Sequence, residues 1–158
     1  MYPSEASGHH RSDEPFFQDL LARASHALVD GFAQELHRRG TSLPVWRVMA
    51  ALCADPGQTV GALAEACLLQ QPTMSKLLDR MARDGLVERT QDARDRRVVR
   101  VALTFKGQAK AAELMAAAAR YEAEVLARHP QAEGIKAVLR DIIARSRPSW
   151  RARGGEGA

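Results

Sequence analysis

Between Gln70 and Lys106 the chain carries nine lysines and arginines (Lys76, Arg80, Arg83, Arg89, Arg94, Arg96, Arg97, Arg100 and Lys106) against five acids (Asp79, Asp84, Glu88, Asp92 and Asp95). The local excess of +4 equals the formal net charge of the whole chain, so everything outside this segment balances. A positive field concentrated on one segment suits a polyanion, and phosphate backbones are the commonest one. Gln71, Pro72, Thr73, Ser75 and Lys76 place short polar groups, a proline and a cation where a helix begins. Side chains and free backbone N–H groups in that first turn can reach base edges and phosphates. Arg80 extends the same cationic side. Arg94, Asp95, Arg96 and Arg97 lie in a turn, QDARDRR. Arginine at such a tip suits a minor groove narrowed by A·T sequence, where the negative potential is deepest. Asp95 is read as the acid that pairs with a neighbouring arginine and holds the turn's shape. No HExxH, paired CxxC, P-loop or Ser/His/Asp arrangement is present, so no catalytic residue, metal site or cofactor is expected.

These residues need two short helices, a strand, the basic turn and a second strand, and Thr59–Gly107 supplies that order. Thr59 can cap a helix through Val60, Leu63 and Ala64, whose small side chain permits close approach of the next helix. Cys67-Leu68-Leu69-Gln70 is the turn. The next helix has Pro72 in its first turn, an inward stripe of Met74, Leu77, Leu78 and Met81, and an outward set of Thr73, Ser75, Lys76, Asp79, Arg80 and Arg83. Asp84-Gly85 ends it. Strands follow over Leu86–Thr90 and Val98–Thr104, with Val99, Val101 and Leu103 on one face. The sum is mainly α with a winged helix-turn-helix.

A long helix precedes this segment, from about Pro15 to about Arg39, closed by Gly40. A shorter one follows Thr41-Ser42-Leu43-Pro44, with Ser42 as cap, and stops at Asp55-Pro56-Gly57. After the second strand a helix runs from near Thr104 until His129-Pro130 breaks it. The last, from about Gln131 to Arg145, puts Ile135, Val138, Leu139, Ile142 and Ile143 on one face. A terminal stripe of that kind is more often covered by a core or a second subunit than left in water. The reading is a single domain over 14–146, with a winged helix at 43–104 and dimerisation helices at 15–39 and 105–145. Residues 1–13 and 147–158 have no periodic pattern and are expected to be unstructured tails.

The chain has 158 residues and two cysteines, Cys53 and Cys67, without metal or redox spacing. With no apolar run near the N-terminus fit for a signal peptide or membrane span, the expected setting is the cytoplasm, with reduced thiols and no membrane partner. Both cysteines read first as small buried hydrophobes. Cys67, which abuts the reading helix, is the better candidate for a redox sensor. His9-His10 sits in a polar tail and is assigned no role.

The wing Asp95-Arg96-Arg97, followed by Val-Val-Arg-Val-Ala-Leu103-Thr104 and Gly107, is similar to the pattern D-x-R, strand, L-T-x-x-G of the MarR family of bacterial transcription regulators. The Gln71-Pro72-Thr73/Ser75 start and the Asp84-Gly85-Leu86-Val87 exit of the reading helix resemble it too, and the match spans about residues 15–145. The resemblance implies a homodimer with interlocked first, fifth and sixth helices, presenting two winged helices to a pseudo-palindromic duplex. It makes Arg97 the minor-groove arginine and Asp95 its partner.

Members of that family commonly respond to a small aromatic acid or phenol. Here Trp46-Arg47, within WRVMAAL, resembles the branch that regulates aromatic-acid breakdown. Arg47 could pair with a carboxylate while the Trp46 ring stacks on an aromatic body, and His26 could donate a hydrogen bond. The structural alternatives are a packed Trp46, an ion-paired or snorkelling Arg47 and a satisfied polar His26. A peroxide-sensing branch carries its cysteine near the start of the first helix, and this chain has none there. The expected function is a repressor released from its operator by an aromatic carboxylate or phenol. The alternatives are a redox-responsive regulator using Cys67 and a ligand-independent architectural DNA-binding protein.

Overall fold

The structure, a computed structural model, describes residues 15–145. The tails at 1–13 and 147–158, His9-His10, and the outermost residues of the 14–146 domain lie outside the described residues. The elements run α1 (Phe17–Arg38), α2 (Leu43–Ala54), β1 (Gln58–Thr59), α3 (Val60–Ala66), α4 (Gln71–Arg83), β2 (Val87–Gln91), β3 (Val99–Leu103), α5 (Phe105–Arg128) and α6 (Ala132–Arg145). They form two compact units, divided after Gln108 within the first turn of α5.

The first unit is built on apolar side chains from every element but one. Phe32 and Leu36 of α1, Val48, Met49 and Leu52 of α2, Leu63 and Ala64 of α3, and Met74, Leu77, Leu78 and Met81 of α4 are buried with Val87 and Val101 of the strands. The short β1 contributes pairing instead. It lies antiparallel to β3, with Gln58 opposite Val101 and Thr59 opposite Arg100, so the sheet has three strands in the order β1-β3-β2. Sequence reasoning gives only the two wing strands, because two residues show no alternation. The Gln58 amide also donates to the carbonyls of Ala51 and Asp55 at 2.9 and 3.1 Å and so closes the end of α2.

Three helices end in the same way. After α1, α3 and α4 the residue past the C-cap adopts a left-handed backbone, and the next N–H bonds back five residues, Thr41 to Leu36, Leu69 to Ala64 and Leu86 to Met81. Gly40 and Gly85 take that conformation without strain. At the helix-turn-helix corner Leu68 does so with φ 57°, and the residue is 84% exposed. The turn at Cys67–Gln70 is where it was expected, although no glycine marks it.

Two start signals resolve differently. Thr59 caps α3 through its side chain, accepting from the Ala62 N–H at 3.2 Å. Ser42 stands at the N-cap of α2 but makes no side-chain bond there, so Pro44 in the first turn is the signal that holds. α1 begins at Phe17, past Pro15.

In the second unit α5 buries Ala111, Leu114 and Ala117 along one face. Lys136 of α6 bridges to Glu122 of α5 at 2.5 Å and to Glu133 at 3.2 Å, and these partners push its ammonium above its ordinary value. α6 has no buried residue, and Ile135, Val138 and Ile143 are exposed.

The L-T-x-x-G segment is a joint. Thr104 N–H donates to Leu86 O at 3.1 Å, its hydroxyl donates to Gly85 O at 2.5 Å and accepts from Gly107 N–H at 3.0 Å, and Lys106 Nζ donates to Asp84 O at 2.8 Å. A Cβ on Gly107 would stand 1.9 Å from Leu86 O, so only glycine fits there. Gly107→Ala should therefore destabilise the fold by about 1–3 kcal/mol or more, read as a lower urea midpoint. An unchanged midpoint would refute the close approach.

Candidate nucleic-acid interface

α4 is seated by its inward stripe, which leaves Gln71, Pro72, Thr73, Lys76, Asp79, Arg80 and Arg83 exposed and Ser75 half-buried. Thr73, Lys76 and Arg80 follow one another at i, i+3 and i+7, on one face of the helix. A Cβ at Gly61 of α3 would stand 2.8 Å from the end of the flexible Gln71 side chain, which could move aside. Ala64, whose small side chain permits close approach of the next helix, is buried.

The wing is held by two carboxylates. Asp92 accepts from the Arg94 N–H at 2.8 Å and the Asp95 N–H at 3.3 Å, while its second oxygen takes Arg100 Nε at 2.5 Å. Arg100 also reaches Gly57 O at 3.1 Å, tying the wing root to the loop before β1. Asp95 takes the Arg97 N–H at 3.0 Å and the Arg97 guanidinium at 3.2 and 3.3 Å. The orienting arrangement expected of Asp95 is therefore present, and the Arg97 side chain remains 92% exposed. The pairing of Asp92 with Arg100 spans eight residues and leaves no local pattern in the sequence.

Most of the arginine excess is thus committed inside the protein. Arg89 pairs with Asp79 at 2.7 Å, Arg100 with Asp92, Arg97 with Asp95, and Arg83 reaches Asp79 O at 3.4 Å. Among the described residues of this segment, Lys76, Arg80, Arg94 and Arg96 are exposed cations whose side chains make neither an ion pair nor a hydrogen bond, whereas Arg83 and Lys106 each bond a backbone carbonyl. They fall on two elements, the reading helix and the wing.

The residues assigned to a ligand are less well gathered. Trp46 is half-buried and packs edge-on against Phe32, with ring centroids 5.3 Å apart. Arg47 is half-buried too. His26 points outward, its side chain 76% exposed, and pairs with Asp30 at 2.7 Å, so in the single chain it is a satisfied surface residue. Burial pushes the Cys67 thiol above its ordinary value, with the nearby Arg47 charge opposing. That favours the inert thiol over the reactive thiolate. Cys53, expected to be buried, is exposed at the end of α2. Among the described residues no group of three or more His, Cys, Asp or Glu could hold a metal, and no helix is long and apolar enough to cross a membrane.

Hydrogen bonds from Arg100, then from the Arg94 and Asp95 N–H groups, hold the Asp92 carboxyl below its ordinary value of 3.8. Those from the Arg97 side chain and N–H do the same for Asp95. A depressed folded value means that the wing's order is fully present above 3.8 and is lost as pH falls through the lowered values. Carboxyl carbon shifts of Asp92 and Asp95, followed by NMR, should titrate with midpoints below 3.8. Midpoints at or above that value would contradict the wing geometry.

Comparison with known proteins agrees with this architecture. The MarR family profile matches residues 39–98. The homoprotocatechuate degradative operon repressor of Escherichia coli is 32% identical over 89 residues, 56% of this chain and 60% of that protein, so the chain matches only about three-fifths of that relative's length. Among solved structures, a MarR family transcriptional regulator from Silicibacter pomeroyi DSS-3 is 34% identical, with a TM-score of 0.74 over 82% of this chain and 93% of that one. The MepR–DNA complex of S. aureus shares the fold, with 24% identity and a TM-score of 0.71 over 84% of this chain and 99% of that one. These relatives are transcriptional regulators rather than enzymes, and with a mainly helical winged fold common to nearly the full length of its structural neighbours, the chain belongs to the MarR family.

Proposed function

We propose that the chain acts as a homodimeric DNA-binding regulator in the cytoplasm, a repressor that leaves a pseudo-palindromic operator when an aromatic carboxylate or phenol binds. The observation that carries the DNA reading is the placement of the unpaired cations. Lys76 and Arg80 sit on the outward face of a helix seated by a buried stripe, and Arg94 and Arg96 sit on a wing shaped by Asp92 and Asp95. Gln71, Pro72, Thr73, Ser75 and Lys76 supply the groups for base edges and phosphates, and Arg97, oriented by Asp95, enters the flanking minor groove. Two such units about one DNA turn apart, ~34 Å, would meet successive major grooves.

The dimer reading is supported by apolar surface that the single chain leaves uncovered. Phe17, Leu20 and Leu28 on α1 and Ile135, Val138 and Ile143 on α6 are all exposed. A pattern of that density is what a second copy would cover.

The effector reading rests on Trp46 and Arg47 and on the kinship with a repressor of a homoprotocatechuate operon, whose namesake is an aromatic acid. A ligand favouring another spacing of the reading helices weakens DNA binding without touching DNA, a coupling typically worth about 1–3 kcal/mol. The buried, raised thiol of Cys67 favours this over the redox alternative.

Sedimentation at micromolar concentration should show a dimer that Ile142→Asp abolishes. A folded, DNA-competent monomer would refute the assembly. Lys76→Ala should lose ~1–3 kcal/mol of operator binding, and Arg97→Ala should weaken binding most where the flank is A·T-rich. Benzoates, hydroxycinnamates and nicotinates should be screened for release of DNA, and Arg47→Ala should blunt the response while leaving unliganded affinity nearly intact. Release by oxidation alone, abolished by Cys67→Ser, would replace the aromatic effector with a thiol switch.

A further inference from the structure

Arg89 stands on β2, yet its guanidinium is spent on the reading helix. One amino group pairs with Asp79 Oδ1 at 2.7 Å and the other donates to the backbone carbonyl of Ser75 at 3.0 Å. The side chain is only 30% exposed, while Asp79 is 57% exposed on a helix that otherwise presents cations. An acid beside Lys76 and Arg80 opposes phosphate binding, which is a cost with no return unless it does something else. A planar fork with two acceptors on successive turns of one helix fixes that helix about its own axis, since rolling α4 would break one bond or the other. The apolar stripe sets how deep α4 sits, but apolar contacts tolerate small rolls better than a two-point polar tether does.

We infer that Arg89 and Asp79 form a brace that sets the roll of the reading helix against the wing, and that Arg89 is a positioning residue for operator discrimination rather than a phosphate contact. This rests on the DNA-binding reading above. Base-edge hydrogen bonds are lost with small rotations, whereas phosphate attraction is not. Loosening the brace therefore costs specificity and spares non-specific affinity.

The test uses the full-length protein, a duplex enriched by the parent from a random pool, and a scrambled duplex of the same composition. Arg89→Lys keeps the charge but cannot bridge both acceptors, and Arg89→Gln with Asp79→Asn removes the pair without changing net charge. Both should lower the preference for the enriched duplex by roughly tenfold or more. Affinity for the scrambled duplex, and its dependence on log salt, should stay as in the parent. If Arg89 instead touches a phosphate, Arg89→Lys behaves as the parent and the pair-less variant loses ~0.9 of salt slope on both duplexes, which overturns the inference. Undiminished discrimination in both variants overturns it too. A parent that binds neither duplex overturns the DNA reading itself, and this inference with it. Should the pair-less variant fail to fold, the conservative Arg89→Lys still decides.

Discussion

Four side chains on one face of α4, Met74, Leu77, Leu78 and Met81, are buried, and everything the segment could do with DNA depends on that. Burying each is worth about 1.5–3 kcal/mol, so the polar face of the helix is held outward by the same contacts that stabilise the fold. The remaining freedoms of the helix are removed at its ends and its flank. Pro72 stands in the first turn of α4, and Gly85 turns the chain out at its end. Thr104 and Lys106 then bind the exit to the beginning of α5. A recognition surface has to be placed within a fraction of an ångström, and these tethers are how a small unit achieves that.

Charge has two jobs in this protein, and only the structure separates them. The excess around the wing looks like a reservoir of phosphate contacts, but Arg89, Arg97 and Arg100 each pair with an aspartate. Those pairs shape the surface that Lys76, Arg80, Arg94 and Arg96 display. Arg97 is paired and displayed at once, since Asp95 holds its guanidinium while the side chain stays in solvent. Surface ion pairs of this kind add little stability, and their value here lies in orientation.

Much of this was legible from residue types and spacing. The helical stripes, the Pro72 start, the Gly40 and Gly85 stops and the His129-Pro130 break are local signals, and each coincides with an element boundary. The wing was legible because Asp95 and Arg97 are two residues apart. What sequence could not show is contact between distant segments: β1 pairing with β3, Gln58 closing α2, Asp92 holding Arg100 and Arg89 reaching α4. Leu68 in a left-handed conformation was hidden for a different reason, since leucine carries no turn signal. Burial also divided two residues of one type, leaving Cys67 inside and Cys53 outside.

A hydroxyl-radical footprint on the enriched duplex tests most directly whether two winged helices read DNA together. Two winged helices reading together should leave a two-fold symmetric pattern, with protected segments separated by about one helical turn, roughly 10 base pairs, and further protection of the flanking minor grooves by the wings. A single protected segment without two-fold symmetry, or uniform protection along the duplex, would contradict it.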